Sequence, residues 1–219
     1  MTKNTDYRSL KSKDNYKKIK RLINFFIALL LTIILLPVMI LLALLIYKED
    51  GRPAIFSQTR TGMANKPFTI YKFRTMEVNN ESSKDSSSDK YNFDGDKVPD
   101  DFVFKSSSSS RVTKVGEFLR KTSLDELPQL FNVLIGDMSL VGPRPEIPEI
   151  TEQYNSRQKI RLSVRPGITG LAQVNGRSDI NHGEKIEYDL EYVRNRSLLL
   201  DFKILVRTVV NAVKGEGAY

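Results

Sequence analysis

Two adjacent carboxylates, Asp125 and Glu126, are the residues of this sequence best suited to chemistry. They follow two hydroxyl residues and have a leucine on either side. Neighbouring carboxylates repel each other, so a pair in apolar surroundings usually shares a cation or performs a chemical task. Acidic residues are also favourable at a helix N-terminus, where they would only cap and charge the helix. The residue types alone leave both interpretations open.

Arg144 is the second candidate, because it lies between Pro143 and Pro145. Two prolines restrict the local backbone, and the guanidinium is therefore presented from a stiff loop. A planar arginine fork suits a phosphate group, whereas paired carboxylates suit a hard metal ion or a nucleophile. The two motifs together indicate chemistry on a phosphate. A surface arginine without a function is the alternative.

Composition narrows the chemistry further. The chain has 219 residues, no cysteine and one histidine, His182. Disulfides and thiolate metal sites are therefore excluded, and a histidine-based metal site or catalytic triad is not expected. His182 is interpreted as structural. The net charge of +8 favours an anionic partner, which could be nucleic acid, an acidic membrane surface or a phosphorylated substrate.

Residues 22–47 favour the membrane over nucleic acid, because they are almost wholly apolar and long enough to cross a bilayer as a helix. A plain spanning helix is one interpretation. Basic residues both precede and follow the segment, which is unfavourable if one end lies outside the cell. Pro37 lies inside the segment, where it removes a hydrogen bond and bends a helix. We therefore predict a re-entrant helix that enters and leaves on the cytoplasmic side.

The remaining sequence predicts a small mixed catalytic domain of the α/β class at residues 48–219. Residues 1–21 form a polar N-terminal segment that ends in a basic collar suited to anionic lipid head groups. Residues 81–110 are rich in serine and acidic residues, and we predict a flexible insertion there. The last predicted helix is amphipathic, so it could lie at the membrane interface or face the core. Hydrophobic periodicity predicts strands at 54–56 and 68–73 and helices at 115–135, 149–161, 184–193 and 201–213.

Four ordered motifs resemble the signatures of one bacterial enzyme family. They are KFRTM at 72–76, LDELPQ at 124–129, GPRP at 142–145 and RPGITG at 165–170. In this order they are similar to the motifs of the bacterial sugar transferases, which are monotopic polyprenol-phosphate phosphoglycosyl transferases. The resemblance extends from the hydrophobic segment to the C-terminus, apart from the serine-rich insertion. Because several motifs match in order, the resemblance is more specific than one short pattern.

The resemblance implies roles for five residues of one pocket. Asp125 would be the nucleophile, and Glu126 would help to hold Mg²⁺. Arg144 would lie at the substrate phosphate. Lys72 and Arg120 would add positive charge to the same pocket, although Lys72 could equally be a solvated lysine on a strand.

Three further residues belong to the predicted substrate site. Arg177 follows a loop that resembles the nucleotide-contacting region of the family. Asp189 and Asp201 match two acidic positions of the family, although Asp201 would also be a good N-cap for the last helix. The family also implies a re-entrant membrane helix that is broken at a motif containing proline.

By this resemblance, the chain would transfer a sugar-1-phosphate from a UDP-sugar to polyprenyl phosphate, such as undecaprenyl phosphate, and release UMP. The mechanism would use Mg²⁺ and a covalent phosphosugar-aspartate. The enzyme would lie in the bacterial inner membrane with its catalytic domain in the cytoplasm. It would begin capsule, exopolysaccharide or glycan assembly, with downstream glycosyltransferases as further partners. The alternative is a non-catalytic, single-span membrane anchor with a basic binding surface.

Overall fold

The computed structural model describes residues 3–77, 98–102, 111–176 and 180–214, with side chains from residue 15 onward. The predicted mixture of helices and strands is confirmed, and helices predominate. The described helices are α1 Lys3–Asp50, α2 Lys114–Thr122, α3 Gln129–Ile135, α4 Pro148–Thr151, α5 Leu171–Asn175, α6 His182–Asn195 and α7 Leu198–Lys214. The described strands are β1 Ile55–Thr61, β2 Pro67–Phe73, β3 Ser139–Val141 and β4 Gly167–Thr169.

The apolar segment forms the central part of α1, which has 48 residues. Within it, Asn15–Asp50 is long and apolar enough to cross a membrane. The face of α1 that points away from the rest of the protein exposes leucine, isoleucine and phenylalanine side chains. Such a face is suited to contact with lipid. The other face packs on the protein at helical spacing through Asn24, Ala28, Thr32, Met39, Leu42 and Ile46.

Pro37 does not interrupt α1, although the family resemblance predicts a break there. The residues on both sides of it are helical. Proline lacks the N–H that would bond to the carbonyl of Ile33, so one helical hydrogen bond is missing at this point. Leu35 and Met39 pack against the domain on either side of the proline and hold the helix in place. The predicted break is therefore absent from the described helix, whereas re-entry into the membrane stays a prediction.

β1 and β2 form an antiparallel hairpin that is paired along its whole length. Ala64 and Asn65 in the turn have left-handed φ angles of 57° and 61°. The second predicted strand is confirmed. The first is longer than the predicted 54–56, because every residue of β1 has a partner in β2. The hairpin matters to the site because Lys72 is the next-to-last residue of β2.

The single helix predicted over 115–135 is wrong, because the chain forms α2 and α3 with a 3-10 turn, Leu124–Glu126, between them. Ser123 ends α2 in the left-handed conformation, with a φ of 56°. Pro128 then precedes α3, and a proline has no N–H with which to continue an earlier helix. The carboxylate pair therefore lies in a corner of the chain and not along a helix.

Two short parallel strands, β3 and β4, bring together the loops 142–145 and 165–170. Gly142 donates its N–H to the last residue of β4 at 2.8 Å, and Gly167 donates its N–H to the carbonyl of Pro143 at 2.9 Å. A Cβ on Gly167 would lie 2.1 Å from the nitrogen of Gly142, so this approach requires glycine. Two motifs that are separate in the sequence thus form one backbone unit.

The helix predicted over 149–161 is also wrong. The short α4 is followed, after a gap, by a 3-10 segment, Gln158–Ser163. Asn155 lies in the gap, and its side-chain oxygen accepts the backbone N–H of Gln158 at 2.9 Å. Such a local bond competes with helix formation. The helix predictions that are confirmed are those at 184–193 and 201–213.

Residues 98–102 belong to the predicted flexible insertion but pack on the domain. Val98 is fully buried, and its carbonyl accepts a hydrogen bond from the side chain of Gln158 at 3.0 Å. The carbonyl of Phe102 accepts the N–H of His182 at 2.9 Å. Val98 and Phe102 thus attach this end of the insertion to the domain, whereas Asp100 and Asp101 are exposed, and the flexible insertion stays a prediction. The rest of the insertion lies outside the described residues.

Hydrophobic side chains pack in three clusters, and α1 contributes to two of them. The first cluster joins the middle of α1 to β2, α3, β3, α6 and α7. The second lies among residues 98–102, α4 and α6. The third joins the C-terminal half of α1 to β2 and α2. α1 is therefore part of the hydrophobic core of the protein.

Candidate active site

The carboxylate pair lies at the corner between α2 and α3. Asp125 and Glu126 occupy the 3-10 turn that follows the left-handed Ser123. Neither acid caps α3, because the N-cap of that helix is Pro128 and no side-chain cap is formed. The helix-capping interpretation of the pair is therefore not supported.

Glu126 is held by two cations that share one of its oxygens. Lys72 Nζ lies 2.8 Å and Arg144 Nη2 lies 2.9 Å from its Oε1. Burial opposes ionisation of Glu126, but the charges of Arg144 and Lys72 outweigh it and lower the pKa to about 2. Glu126 is therefore a fixed negative charge at neutral pH.

Asp125 is in a different electrostatic state from its neighbour. Lys72 Nζ is 3.9 Å from its Oδ2, beyond hydrogen-bonding distance. Burial raises the pKa of Asp125 above its usual value, while Lys72 opposes that shift and the charge of Glu126 adds to it. In the described part of the chain, the Asp125 carboxylate has no closer cation. It is thus the member of the pair that is available to a ligand.

Lys72 and Arg120 both add positive charge near the carboxylate pair Asp125 and Glu126, which is called the dyad below. Burial, and then the nearby charge of Arg144, lower the pKa of Lys72, while both carboxylates counteract this. Lys72 is therefore a member of the site and not a solvated lysine. Arg120 donates from Nε to Thr75 Oγ1 at 3.0 Å, and its charge opposes part of the rise in the pKa of Asp125.

The backbone of Arg144 is fixed by a hydrogen bond, whereas its side chain is about half exposed to solvent. Its carbonyl accepts a hydrogen bond from Arg161 Nη2 at 2.8 Å, and the next carbonyl, that of Pro145, accepts one from Arg60 Nη1 at 3.3 Å. The side chain is 49% exposed although it bonds to Glu126. An arginine held at its base and open at its fork is well placed to bind an incoming phosphate.

Arg161 is the functional residue that sequence reasoning missed. It is buried behind the Arg144 loop, where Nη1 donates to Tyr154 Oη at 2.6 Å and lies 3.7 Å from Glu146 Oε1. Nη2 also lies 2.7 Å from Asp189 Oδ2. Arg161 therefore positions the loop from behind. A single arginine in a polar stretch gives no sequence signal of such a role.

Asp189 bonds to Arg161 and not to the dyad, and its predicted substrate role stays a prediction. It is buried and receives two nitrogens of Arg161, Nε at 2.8 Å and Nη2 at 2.7 Å. Burial raises the pKa of Asp189 to about 6, although Arg161 opposes the shift. Its contacts indicate that it supports the Arg144 loop through Arg161. His182 is buried beside Tyr154, at 5.6 Å between ring centroids, as expected of a structural histidine.

Asp201 lies in another buried cluster, where α7 begins against α1 and α6. Its carboxylate bonds to Lys20 Nζ at 2.9 Å, to Tyr192 Oη at 2.8 Å and to Tyr16 Oη at 3.0 Å. These contacts give Asp201 a structural role at the start of α7, and the predicted substrate contact stays a prediction. The physical reason is that the first turn of α7 faces α1. Arg177, the predicted nucleotide contact, lies outside the described residues.

The donor set of the dyad fits Mg²⁺. Oε2 of Glu126 has no partner among the described residues, and neither has Oδ1 of Asp125. Mg²⁺ commonly takes one or two protein carboxylates, keeps several waters and completes its shell with substrate phosphates. Within the described ranges no cluster of three or more His, Cys, Asp or Glu side chains that could hold a metal is found. An ion that takes only one or two protein carboxylates does not need such a cluster.

The fold and the site together define a mixed α/β protein. It has a helix long enough to span a membrane and a carboxylate pair that faces the cations of Lys72 and Arg144. The chain belongs to the bacterial sugar transferase family, whose profile matches residues 15–215. The family predicted from the sequence motifs is thus confirmed.

Three relatives illustrate the match. The galactosyl transferase CpsE of Streptococcus agalactiae serotype III is 45% identical over 172 residues, which cover 78% of this chain and 37% of CpsE. The UDP-glucose:undecaprenyl-phosphate glucose-1-phosphate transferase of Klebsiella pneumoniae is 42% identical over 208 residues, 91% of this chain and 41% of that protein. The sugar transferase EpsL of Bacillus subtilis is 41% identical over 199 residues, 91% of this chain and 89% of EpsL. The chain therefore spans about two fifths of the first two relatives and most of the third.

Proposed function

We propose that this chain transfers a sugar-1-phosphate from a UDP-sugar to polyprenyl phosphate and releases UMP. The observation that carries the proposal is that the two carboxylates of the dyad are paired differently. Glu126 is occupied by Lys72 and Arg144, whereas Asp125 beside it is left without a close partner among the described residues. The name of the Klebsiella pneumoniae relative, which specifies UDP-glucose and undecaprenyl phosphate, supports the choice of substrates.

The first half-reaction begins with a carboxylate oxygen of Asp125. It attacks the β-phosphorus of the UDP-sugar, an aspartyl–phosphorus bond forms, and the bond from that phosphorus to the oxygen bridging the two phosphates breaks. UMP leaves with the bridging oxygen and the electron pair. The product on the protein is a phosphosugar-aspartate. A covalent intermediate divides one difficult transfer between two anions into two steps.

The second half-reaction uses the lipid acceptor. An oxygen of polyprenyl phosphate attacks the same phosphorus, a new diphosphate bond forms, and the aspartyl–phosphorus bond breaks. Asp125 is regenerated as a carboxylate, and the sugar diphosphate lipid is released. No net proton is needed in either step, which agrees with the lack of a histidine at the dyad.

Lys72 and Arg144 would orient the phosphates and offset their charge during both steps. Their attachment to Glu126 fixes the two cations before a substrate arrives, and preorganised charge of this kind lowers the barrier most effectively. Glu126 would help to hold Mg²⁺, which would supply further charge neutralisation at the substrate phosphates.

Glu126→Gln tests the proposed role of Glu126 in metal binding. We expect the apparent affinity for Mg²⁺ to fall about tenfold or more and kcat to fall on the order of 10²-fold, because an amide neither binds Mg²⁺ well nor holds two cations. UMP release measured across a Mg²⁺ titration checks this expectation. Glu152→Gln, which changes an exposed acid on the surface, is the matched control. An unchanged Mg²⁺ dependence in Glu126→Gln would remove Glu126 from the ligand set.

The same proposal includes membrane attachment from the cytoplasmic side by a re-entrant α1. Both ends of the apolar segment contact one domain: Asn24 Nδ2 donates to Ser139 Oγ at 2.7 Å, and Glu49 accepts the backbone N–H groups that begin α2. A domain held at both ends of the segment is more easily accommodated on one side of the bilayer. α7 supports this placement with exposed Leu199, Phe202 and Val209, which form an apolar stripe suited to the membrane interface.

Cysteine labelling tests the topology. The chain has no native cysteine, and Asn15 and Lys214 are exposed positions near the two ends of the described structure. We expect Asn15→Cys and Lys214→Cys both to react with a membrane-impermeant maleimide only in inside-out vesicles or permeabilised cells. Reaction of Asn15→Cys in intact cells would instead establish a single-span anchor.

Turnover tests the proposed reaction itself. The full chain in detergent or nanodiscs, with Mg²⁺ and undecaprenyl phosphate, is assayed against a panel of UDP-sugars for UMP release and for a new sugar diphosphate lipid. We expect one UDP-sugar or a small group of them to react. If none of the panel yields UMP or lipid product, the chain is better described as a non-catalytic membrane anchor.

A further inference from the structure

The asparagine Asn132 lies in the middle of α3, where its side chain is completely buried. Asparagine is a poor helix former, and burying its amide is unfavourable unless hydrogen bonds replace those lost to water. Both polar atoms of the side chain have such a partner. Nδ2 donates to the carbonyl of Thr69 at 2.7 Å, and Oδ1 accepts the backbone N–H of Tyr71 at 3.2 Å. The two bonds therefore join α3 to β2.

The groups that Asn132 binds lie on the edge of β2 that faces away from β1. In the described residues the two strands form a sheet of their own, so no third strand covers this edge. A parallel third strand would donate an N–H to the carbonyl of Thr69 and accept the N–H of Tyr71. The side-chain amide of Asn132 makes the same pair of bonds. It therefore takes the place of one peptide group of a third strand and satisfies backbone groups that would otherwise be unpaired.

These bonds connect two parts of the proposed active site. Lys72 directly follows Tyr71 in β2, and the turn that carries Glu126 lies just before α3. Lys72 Nζ lies 2.8 Å from Glu126 Oε1, a distance that depends on how β2 is placed against α3. We propose that Asn132 is a positioning residue that holds Lys72 at the dyad by fixing β2 to α3. This inference rests on the proposed function, since it concerns the same site.

Lys72 needs such support because of its position in the strand. A lysine ammonium extends from a flexible stem, so it is placed only as accurately as the backbone that carries it. Lys72 is the next-to-last residue of β2, and the ends of elements open more easily than their centres. The bonds from Asn132 hold the strand at Thr69 and Tyr71, immediately before the lysine. Charge that is fixed before the substrate arrives stabilises a transition state most effectively.

The backbone of Asn132 adds a link to the third part of the site. Its carbonyl accepts the N–H groups of Gly136 and Met138, both at 3.1 Å. Met138 leads into β3, which ends at the start of the loop that carries Arg144. A change of the Asn132 side chain leaves these backbone bonds available, so the connection to β2 can be tested by itself.

Amide hydrogen exchange of the full chain in detergent tests the connection without any substrate. Asn132→Leu keeps a side chain of similar size that has no polar atom. We expect the Tyr71 amide of this variant to exchange about tenfold faster, the equivalent of one hydrogen bond. The amide of Ile70, which lies opposite Gln58 of β1, is the reference within the same strand and should keep its wild-type rate. Wild-type exchange of Tyr71 in Asn132→Leu would overturn the proposal, whether or not the chain transfers a sugar phosphate.

A double-mutant cycle with Lys72→Met tests whether Asn132 acts through Lys72. Asn132→Leu should lower kcat for transfer on the order of 10²-fold, as for a catalytic group displaced by about 1 Å, and leave KM for the UDP-sugar nearly unchanged. In the Lys72→Met background the same substitution should lower kcat by no more than about twofold, because the group that it displaces is already absent. A merely structural role would instead multiply the two losses, and that result would contradict the proposal.

Asn211→Leu is the matched control, because Asn211 Nδ2 on α7 also donates to a backbone carbonyl of another segment, that of Val174, at 3.4 Å. It should leave kcat unchanged, and an equal loss of kcat there would count against a specific role of Asn132. Asn132→Asp covers the case in which Asn132→Leu does not fold. It keeps an acceptor for Tyr71 but, when ionised, has no donor for Thr69, so kcat should fall about tenfold. Wild-type kcat in Asn132→Asp would overturn the proposal, whereas absence of transfer in the wild type would remove the proposed function and leave the exchange result to decide on the link.

Discussion

Asp125→Asn is expected to lower kcat for sugar-1-phosphate transfer by about 10⁴-fold or more, the scale seen when an enzyme loses its nucleophile. An amide has nearly the same shape as the carboxylate but does not attack phosphorus. The substitution removes only a long contact, 3.9 Å to Lys72, so the fold should be retained. UMP release gives the rate, and intact-protein mass spectrometry with UDP-sugar alone gives the phosphosugar adduct, which should be present in the wild type and absent in Asp125→Asn.

Asp101→Asn is the matched control for this variant, because Asp101 is an exposed aspartate within the described structure. It should react and form the adduct as the wild type does. Asp125→Asn retaining a tenth or more of wild-type turnover would falsify the covalent mechanism. Loss of the adduct together with normal transfer would indicate direct attack by the lipid phosphate.

Arg144→Lys is expected to lower kcat/KM for the UDP-sugar on the order of 10²-fold, although it preserves the charge. The guanidinium both bonds to Glu126 and exposes half of its surface to a ligand. A lysine ammonium is a point charge and does not reproduce that planar arrangement. Steady-state kinetics over a range of UDP-sugar concentrations measure the effect.

Arg157→Lys is the matched control, since Arg157 is similarly exposed and forms a surface ion pair with Glu187. Exposed pairs of this kind contribute little, so the control should behave as wild type. If Arg144→Lys lies within twofold of wild type, Arg144 is an ordinary surface charge. Comparing the two variants separates the effect of losing the planar guanidinium at the site from the effect of replacing any exposed arginine by lysine.

The central residues of the site could be predicted from sequence because each is part of a local motif. Asp125, Glu126 and Arg144 stand in short stretches whose composition indicates charge in stiff or apolar surroundings, and Lys72 was added by the family resemblance. The structure brings all four together. Arg161 could not be predicted. Its partners come from separate segments of the chain, and nothing in its own neighbourhood indicates that these segments meet.

The predicted helix boundaries were wrong where the backbone conformation of one residue ended a helix that the hydrophobic pattern would continue. Apolar residues continue at helical spacing from α2 to α3, yet Ser123 adopts a left-handed conformation that the pattern does not reveal. The same limitation explains Asp201. Its position in the sequence fits both an acidic site residue and a helix start, and the sequence does not reveal that α7 packs against α1 through Lys20.

The contribution of α1 to two hydrophobic clusters has a consequence for how this protein is made. α1 leaves the ribosome first, whereas its partners in β2, α2 and α3 are synthesised later. α1 must therefore enter the membrane before its packing partners exist. The later segments then fold against the face of α1 that is not in contact with lipid. Insertion and folding become one event, and a fragment that begins after Asp50 would lack the α1 side of two of its hydrophobic clusters. Such a fragment should aggregate on synthesis, however soluble its charged surface makes it look.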